Sequence, residues 1–178
     1  GFFLQEEDTD ADVNASTSEG IFIFCDACGT AVVEGQRVRA TGVVSEFHNL
    51  TEITASADGS VVVTDAGNNL ALVTPASIDL PIVDVVDDFY EAREGMKVTF
   101  VDQLTVSEYF ELARYGQVVL YEGGRPQQFT EANAPSFAGL TAHLDNLARR
   151  EVILDDDNNG QEAFLFQPDG QQAIYYPH

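Results

Sequence analysis

The residues able to do chemistry in this chain are mostly carboxylates, and two groups of them are spaced as ligand sets. In the first, Asp8, Asp10, Asp12 and Asn14 stand at alternate positions, Ser16 follows two later and Glu19 closes the run. These are positions 1, 3, 5, 7, 9 and 12 of a calcium loop, a spacing that lets a looped backbone wrap about six to eight hard oxygen ligands round one ion. Val13 occupies the sixth position, where a sharp turn asks for Gly, and the flanks read as strands instead of the helices of an EF-hand. Calcium binding and a solvated acidic hairpin loop are both open readings of this segment. In the second group, Asp155, Asp157 and Asn159 precede Gly160, as in the first half of a DxDxDG loop with Gly at the turn. Its twelfth position is Phe166, so a polar Asx-rich turn stands beside cation binding as the alternative. Ca2+ is the cofactor that these spacings imply.

The two cysteines form a CxxC pair, Cys25-Asp26-Ala27-Cys28. A zinc site needs two further ligands, and no second CxxC or close His pair stands in the sequence. Redox catalysis asks for a helix N-terminus after the first Cys, to lower its pKa. Here the pair follows the apolar strand Ile21-Phe22-Ile23-Phe24 and precedes a turn at Gly29. A small disulfide closing that turn is the favoured reading, and it implies an oxidising, extracellular setting. Arg37 and Arg39 lie two apart on one strand with Phe47 beyond, the kind of basic and aromatic set that holds single-stranded nucleic acid. Against this, eight Lys and Arg face thirty Asp and Glu, a formal charge of −22. Such a surface repels a polyanion unless its few cations cluster. Weak or no nucleic-acid binding is expected. The acidity also fits a protein kept soluble in salty water. His48, His143 and His178 are isolated, and none pairs with a nearby Asp in a hydrolase motif.

These residues must be positioned by a β-rich chain. The 178 residues suit one large or two small domains, and 44% hydrophobic residues supply enough apolar surface for a core. Gly is frequent and Trp absent. Short apolar or alternating runs over 1–5, 21–24, 37–47, 50–54 and 60–64 read as five strands. In the third, Val38, Ala40 and Val43 are read as pointing one way and Arg37, Arg39 and Thr41 the other, while Gly42 marks a bulge or coil point. A small OB-like barrel over 1–74 is expected. Residues 67–75 read as a linker, 85–93 as a short helix with Asp87 and Asp88 early and Arg93 late, and Gly95 as its stop.

A second β-rich domain, with one or two short helices, is expected over 75–178, with a C-terminal end that reads as incomplete. Its most specific text is 99–129. There Val106, Tyr109 and Phe110 lead into a polar turn at 113–116, and Val118 to Tyr121 run to a Gly-rich turn at 122–126. The clearest helix is 136–150, with Leu140, Leu144 and Leu147 near one face and Arg149 and Arg150 at its end. A strand at 151–154 and a final hairpin follow. Asn14-Ala15-Ser16 and Asn49-Leu50-Thr51 match the glycosylation sequon, a short and common pattern. No run of 18 apolar residues is present, so no membrane span is expected. The chain opens on Gly1 without an initiator Met or a signal pattern, and is read as a processed or excised part of a longer product.

Residues 1–5, 18–24 and 35–47, with Gly35-Gln36-Arg37 at the start of the last, resemble the OB-fold domain of secreted bacterial nucleases. Those are large extracellular enzymes whose C-terminal domain belongs to the endonuclease/exonuclease/phosphatase superfamily. Glu94-Gly95-Met96 with Val98, residues 106–117, Gly123-Gly124-Arg125-Pro126 and residues 153–159 are similar to the region that follows in that family. The resemblance implies a non-catalytic N-terminal half, a catalytic nuclease domain as partner in the same parent chain, and an extracellular location. It brings over no catalytic residue. The function expected is an accessory module of such a nuclease. The alternative is a structural subunit of an extracellular filament or matrix, in which an edge strand such as 1–5 completes a neighbour's sheet. Catalysis by this segment is the third and least favoured class.

Overall fold

Alternating apolar residues in the first 65 positions become six strands: β1 Phe2–Gln5, β2 Gly20–Phe24, β3 Arg37–Ala40, β4 Val43–Phe47, β5 Leu50–Thr54 and β6 Val61–Asp65. The computed structural model describes residues 1–12 and 14–156, together with the backbones of two later strands, β12 Phe164–Phe166 and β13 Gln172–Ile174. The described residues are mainly β with four short α-helices, as the composition implies. By its internal contacts it forms two units, Gly1–Ile78 with Asp84–Thr99, and Asp79–Val83 with Phe100–His178.

In the first unit, β1 and β2 are antiparallel with Phe2 opposite Ile23. β2 then runs parallel to β5, with Ile23 opposite Ile53. β5 pairs antiparallel with β4, and β3 with β6. The sheet order is β1-β2-β5-β4, which leaves β1 and β4 at its two edges. Period-2 alternation sends Ile23 inward. It is fully buried with Cys28, Ala55 and Val61, and Phe2, Leu4, Val38 and Ile53 pack around them. The expected alternation of β3 is present, with Val38 and Ala40 half-buried and Arg37 and Arg39 exposed, but Val43, beyond the break at Gly42, is exposed and does not join them. The single strand read over 37–47 is broken after Ala40. A Cβ on Gly42 would collide with the Thr54 carbonyl, so only Gly lets the chain pass that close. The β4–β5 hairpin turns on His48 and Asn49, at φ 51° and 65°. This is the mirror-image two-residue turn that matches strand twist, and Asn tolerates it.

The stretch read as a linker is tied down. A 3-10 turn at Leu70–Leu72 follows Asn69, whose backbone and side-chain amides both donate to the Gly35 carbonyl. β7 Ala76–Ile78 pairs with β8 Val98–Phe100, and between them α1 spans Val86–Glu91 with Asp87 and Asp88 in its first turn. Arg93 lies beyond the helix end, where it donates to the Phe89 carbonyl at 2.7 Å and stacks 3.7 Å from the Phe89 ring centroid. Gly95, at φ 70°, stops this segment against Gly20, where a Cβ would strike the Gly95 carbonyl.

The second unit is built on an antiparallel sheet of order β11-β10-β9, with β9 Leu104–Glu108, β10 Val118–Glu122 and β11 Glu151–Leu154. The polar turn expected before β10 is a turn of helix, α2 Leu112–Tyr115, closed by Gly116 in the left-handed region. Two further helices are α3 Phe129–Ala132 and α4 Phe137–Ala148. β12 and β13 pair as the expected final hairpin.

Ile23→Ala removes a fully buried side chain from a small core and should cost about 2–5 kcal/mol. Val43→Ala, at an exposed position, should change stability by no more than about 0.5 kcal/mol. Chemical denaturation of both variants tests this. Equal costs would mean that the core does not sit at Ile23.

Candidate functional site

A groove with a volume of about 650 Å3 lies in the second unit. Its walls follow from local sequence. Gln128 opens α3 through a capping box with Glu131, whose carboxylate accepts from the Gln128 amide at 2.8 Å. Pro135 precedes Ser136, the N-cap of α4, whose Oγ accepts from the Gly139 amide at 3.3 Å. Gly139 lets the Phe129 ring lie against α4, since a Cβ there would come within 2.5 Å of Phe129 Cζ. His143 Nε2 is 3.0 Å from the Gln127 carbonyl and its ring is 5.7 Å from that of Phe129. From α4, Phe137, Leu140, Leu144 and Leu147 line the groove at helical spacing. The leucine face read from sequence is therefore correct, but no residue of α4 is buried. Phe137 is 93% exposed, Leu144 55% and Leu140 40%.

Elsewhere in this unit polar groups hold the sheet together. Tyr121 is buried and donates its hydroxyl to Glu151; burial and that carboxylate push its pKa well above the usual tyrosine range. Arg150 pairs with Glu122, and Arg149 with Asp145 at 2.8 Å. Arg149 also donates to the Ile82 carbonyl, which fastens the buried Ile82 to the end of α4.

The acidic loop joins β1 to β2, so its flanks are strands as expected. Its carboxylates bond to nearby donors. Asp8 accepts from the Thr74 amide at 2.8 Å and the Thr74 hydroxyl at 2.6 Å. Asp12 accepts from the Asn14 amide and the Thr17 hydroxyl, and Asn14 from the Ser16 amide. Among the described residues no three of His, Cys, Asp and Glu gather closely enough to hold a metal. Glu19 lies near Asp12. In the second loop Asp155 accepts from Gln117, while Asp157 and Asn159 lie outside the described residues.

Cys25 and Cys28 form the disulfide, with Cα atoms 5.4 Å apart and Cys28 buried in the core. Arg37, Arg39 and Phe47 are all exposed, but Arg37 is held by Glu7 in a two-pronged ion pair. Phe47 meets His48 edge-on with ring centroids 4.5 Å apart. Sequence reasoning missed Phe129 and Phe137. The signal available was Pro135-Ser136, a helix start, with Phe137 three residues before the first stripe leucine. No family model, curated protein or solved structure matches the chain.

Asp8 and Glu19 affect stability with opposite signs. The Thr74 hydroxyl and amide hold Asp8 below its ordinary value of 3.8, so its contribution is present above that value and lost as pH falls through the folded one. Loss of hydration, then the charge of Asp12, raise Glu19 above 4.5, so ionised Glu19 opposes folding near neutrality and that penalty fades as pH falls. In chelator at pH 7, Asp8→Asn should lower the melting temperature and Glu19→Gln raise it. Both differences should shrink toward pH 3. Shifts of the same sign would contradict the hydrogen-bond assignment for Asp8.

Proposed function

We propose that this segment is a non-catalytic accessory β module of a secreted nuclease, working at the cell exterior through contacts with protein and not by gripping nucleic acid. The observation that carries the second half of this reading is the fate of the cations. Arg37 is paired with Glu7, Arg149 with Asp145 and Arg150 with Glu122, and Arg93 lies on Phe89. Against a net charge of −22, little positive potential is left to attract phosphate. The Cys25–Cys28 disulfide supports an oxidising compartment. The nuclease parentage rests on the OB-like sequence segments, and the partner it implies is a catalytic domain in the same parent chain. Ca2+ would enter at Asp8, Asp10, Asp12, Asn14 and Glu19, or at Asp155, Asp157 and Asn159, as a stabiliser of loops.

A second reading is favoured by one observation. β4 is an edge strand whose Val43, Val44 and Phe47 are 71%, 65% and 60% exposed. An apolar edge of this kind is a template for another strand. In this reading the module polymerises edge to edge in an extracellular filament or matrix.

Three measurements separate these readings. Labelled single-stranded DNA at low salt should show no anisotropy change with the chain, and plasmid should stay intact with magnesium or calcium. Tight, salt-sensitive binding lost in Arg37→Ala/Arg39→Ala would overturn the protein-directed reading. Large particles in light scattering that disperse in chelator would replace it with the calcium-dependent assembly. If calcium orders the acidic loop, chelator should lower the melting temperature, and Asp10→Ala/Asp12→Ala should erase the difference.

A further inference from the structure

We infer that the open edge of β4 takes an extended basic segment of another protein, whose side chains read apolar, basic, basic, apolar, apolar opposite Phe47, Glu46, Ser45, Val44 and Val43. The inference names a partner class for the protein-directed reading above and rests on that reading. β4 has one neighbour in its sheet, β5. The two-residue turn at His48 and Asn49 makes Phe47 and Leu50 the closing hydrogen-bonded pair. Bonded and unbonded pairs then alternate. Phe47, Ser45 and Val43 bond to β5, while the amides and carbonyls of Val44 and Glu46 face outward. The same alternation turns the Thr51 amide away from β4, where it donates to Glu94 at 3.0 Å. An added strand completes such an edge by main-chain bonds, and the side chains beside it select the sequence.

Charge selects the basic positions. Glu52 on β5 stands opposite Ser45 and is the one charged side chain buried among the described residues, at 8% exposure. The Ser45 and Thr54 hydroxyls both donate to its Oε1, at 3.5 and 3.3 Å, and among the described residues Oε2 accepts from nothing. A buried carboxylate with half its capacity unused is costly, and a cation completes it. Ser45, the smallest side chain of β4, lies between Glu52 and the open edge. An added strand stands about 10 Å from β5, two strand spacings. A glutamate and an arginine stem span that gap from its two sides. Glu46, on the opposite face of β4, is exposed and offers a second carboxylate. Val43 and Phe47 flank Ser45 on its own face and are exposed, as is Val44 on the other, and these fix the apolar positions. A second copy laid along this edge brings its own Glu46 and no cation, since β4 contains none. A polyanion is repelled by both carboxylates.

The probe is a fluorescein-labelled peptide with the core Val-Lys-Arg-Val-Val between threonines, titrated with the whole chain and followed by anisotropy at low salt. Saturable binding is expected, and it should weaken as salt rises. Glu46→Gln, at an exposed pair, should weaken it by about two- to fivefold. Glu52→Gln should weaken it by about tenfold or more, because the pair it removes is desolvated. Glu34→Gln, which takes the same charge from an exposed loop of the first unit, should leave it unchanged. Ser45→Arg supplies the missing cation from within the chain and should abolish binding with Glu52 intact. Circular dichroism should show that each variant keeps its fold. Backbone direction gives a further readout. N-methylation of the peptide lysine, whose amide faces Glu46, should abolish binding, and N-methylation of the neighbouring arginine should not. A permuted peptide that binds as well, indifference to the methylated lysine, or equal losses in Glu34→Gln and Glu52→Gln would reduce the effect to bulk charge and overturn the inference. A dimer of the free chain that the peptide displaces would overturn it too. Absence of both peptide and DNA binding overturns this inference alone, whereas salt-sensitive DNA binding overturns the protein-directed reading on which it rests.

Discussion

Thirty carboxylates and eight cations set the problem that the rest of this structure has to solve. Ion pairing alone cannot settle so many negative groups, and exposed ion pairs contribute only about 0–1 kcal/mol each. The chain instead assigns carboxylates to amide and hydroxyl donors. Asp8 takes both donors of Thr74, Asp12 takes the Asn14 amide, Asp102 the Leu80 amide, Glu94 the Thr51 amide and Glu131 the Gln128 amide. A carboxylate that accepts from a fixed N–H pins the backbone that supplies the donor. Acidity is thus used within each unit to fasten loops, as where Asp8 holds Thr74 and so anchors the segment before Pro75.

The same economy explains the small core. Among the described residues, Ile23, Cys28, Ala55 and Val61 form the buried cluster of the first unit. Cys28 enters that core because its bond to Cys25 turns the chain inward directly after β2. β2 is therefore held on three sides: by β1, by the parallel β5, and by the disulfide turn at its end. The approach of Gly95 to Gly20 at its other end brings Glu94 to the Thr51 amide and to Ser18, whose hydroxyl donates to the Glu94 carbonyl at 2.6 Å. Residues distant in sequence are brought onto the sheet by two positions where a side chain has no room.

Local signals in the sequence were read well where one period or one turn decided the outcome. The alternation of β3, the disulfide turn, the early acids of α1 and the leucine face of α4 all belong to this class. Features fixed by distant partners were not legible. The parallel pairing of β2 with β5 depends on which strands meet, not on their own alternation. β7 is three residues long and is a strand only because β8 lies beside it. The helical turn α2 replaces an expected tight turn because Gly116 is placed to cap a helix, and the residues before it allow either form. At the site, Arg37 looked available for phosphate because Glu7, thirty residues away, could not be recognised as its partner. Phe137 went unread because the expected stripe began at Leu140, one turn later.

That last difference bears most directly on function. An apolar residue can be left outside by a poorly filled core or by a surface intended for contact. The second unit does not lack a core, since Val118, Tyr121 and Ile82 are buried in it. Nor is α4 loosely held, because Ser136 caps its start and Arg149 ties its end to Ile82 through both the side chain and the backbone. A helix fixed at both ends and left open along one side has its stripe presented, not stranded. The β4 edge is exposed as well, but Glu46 lies within it, and a second copy laid antiparallel along that strand would add its own Glu46 to an already acidic surface. Repulsion between like charges thus weakens association of two copies at the β4 edge.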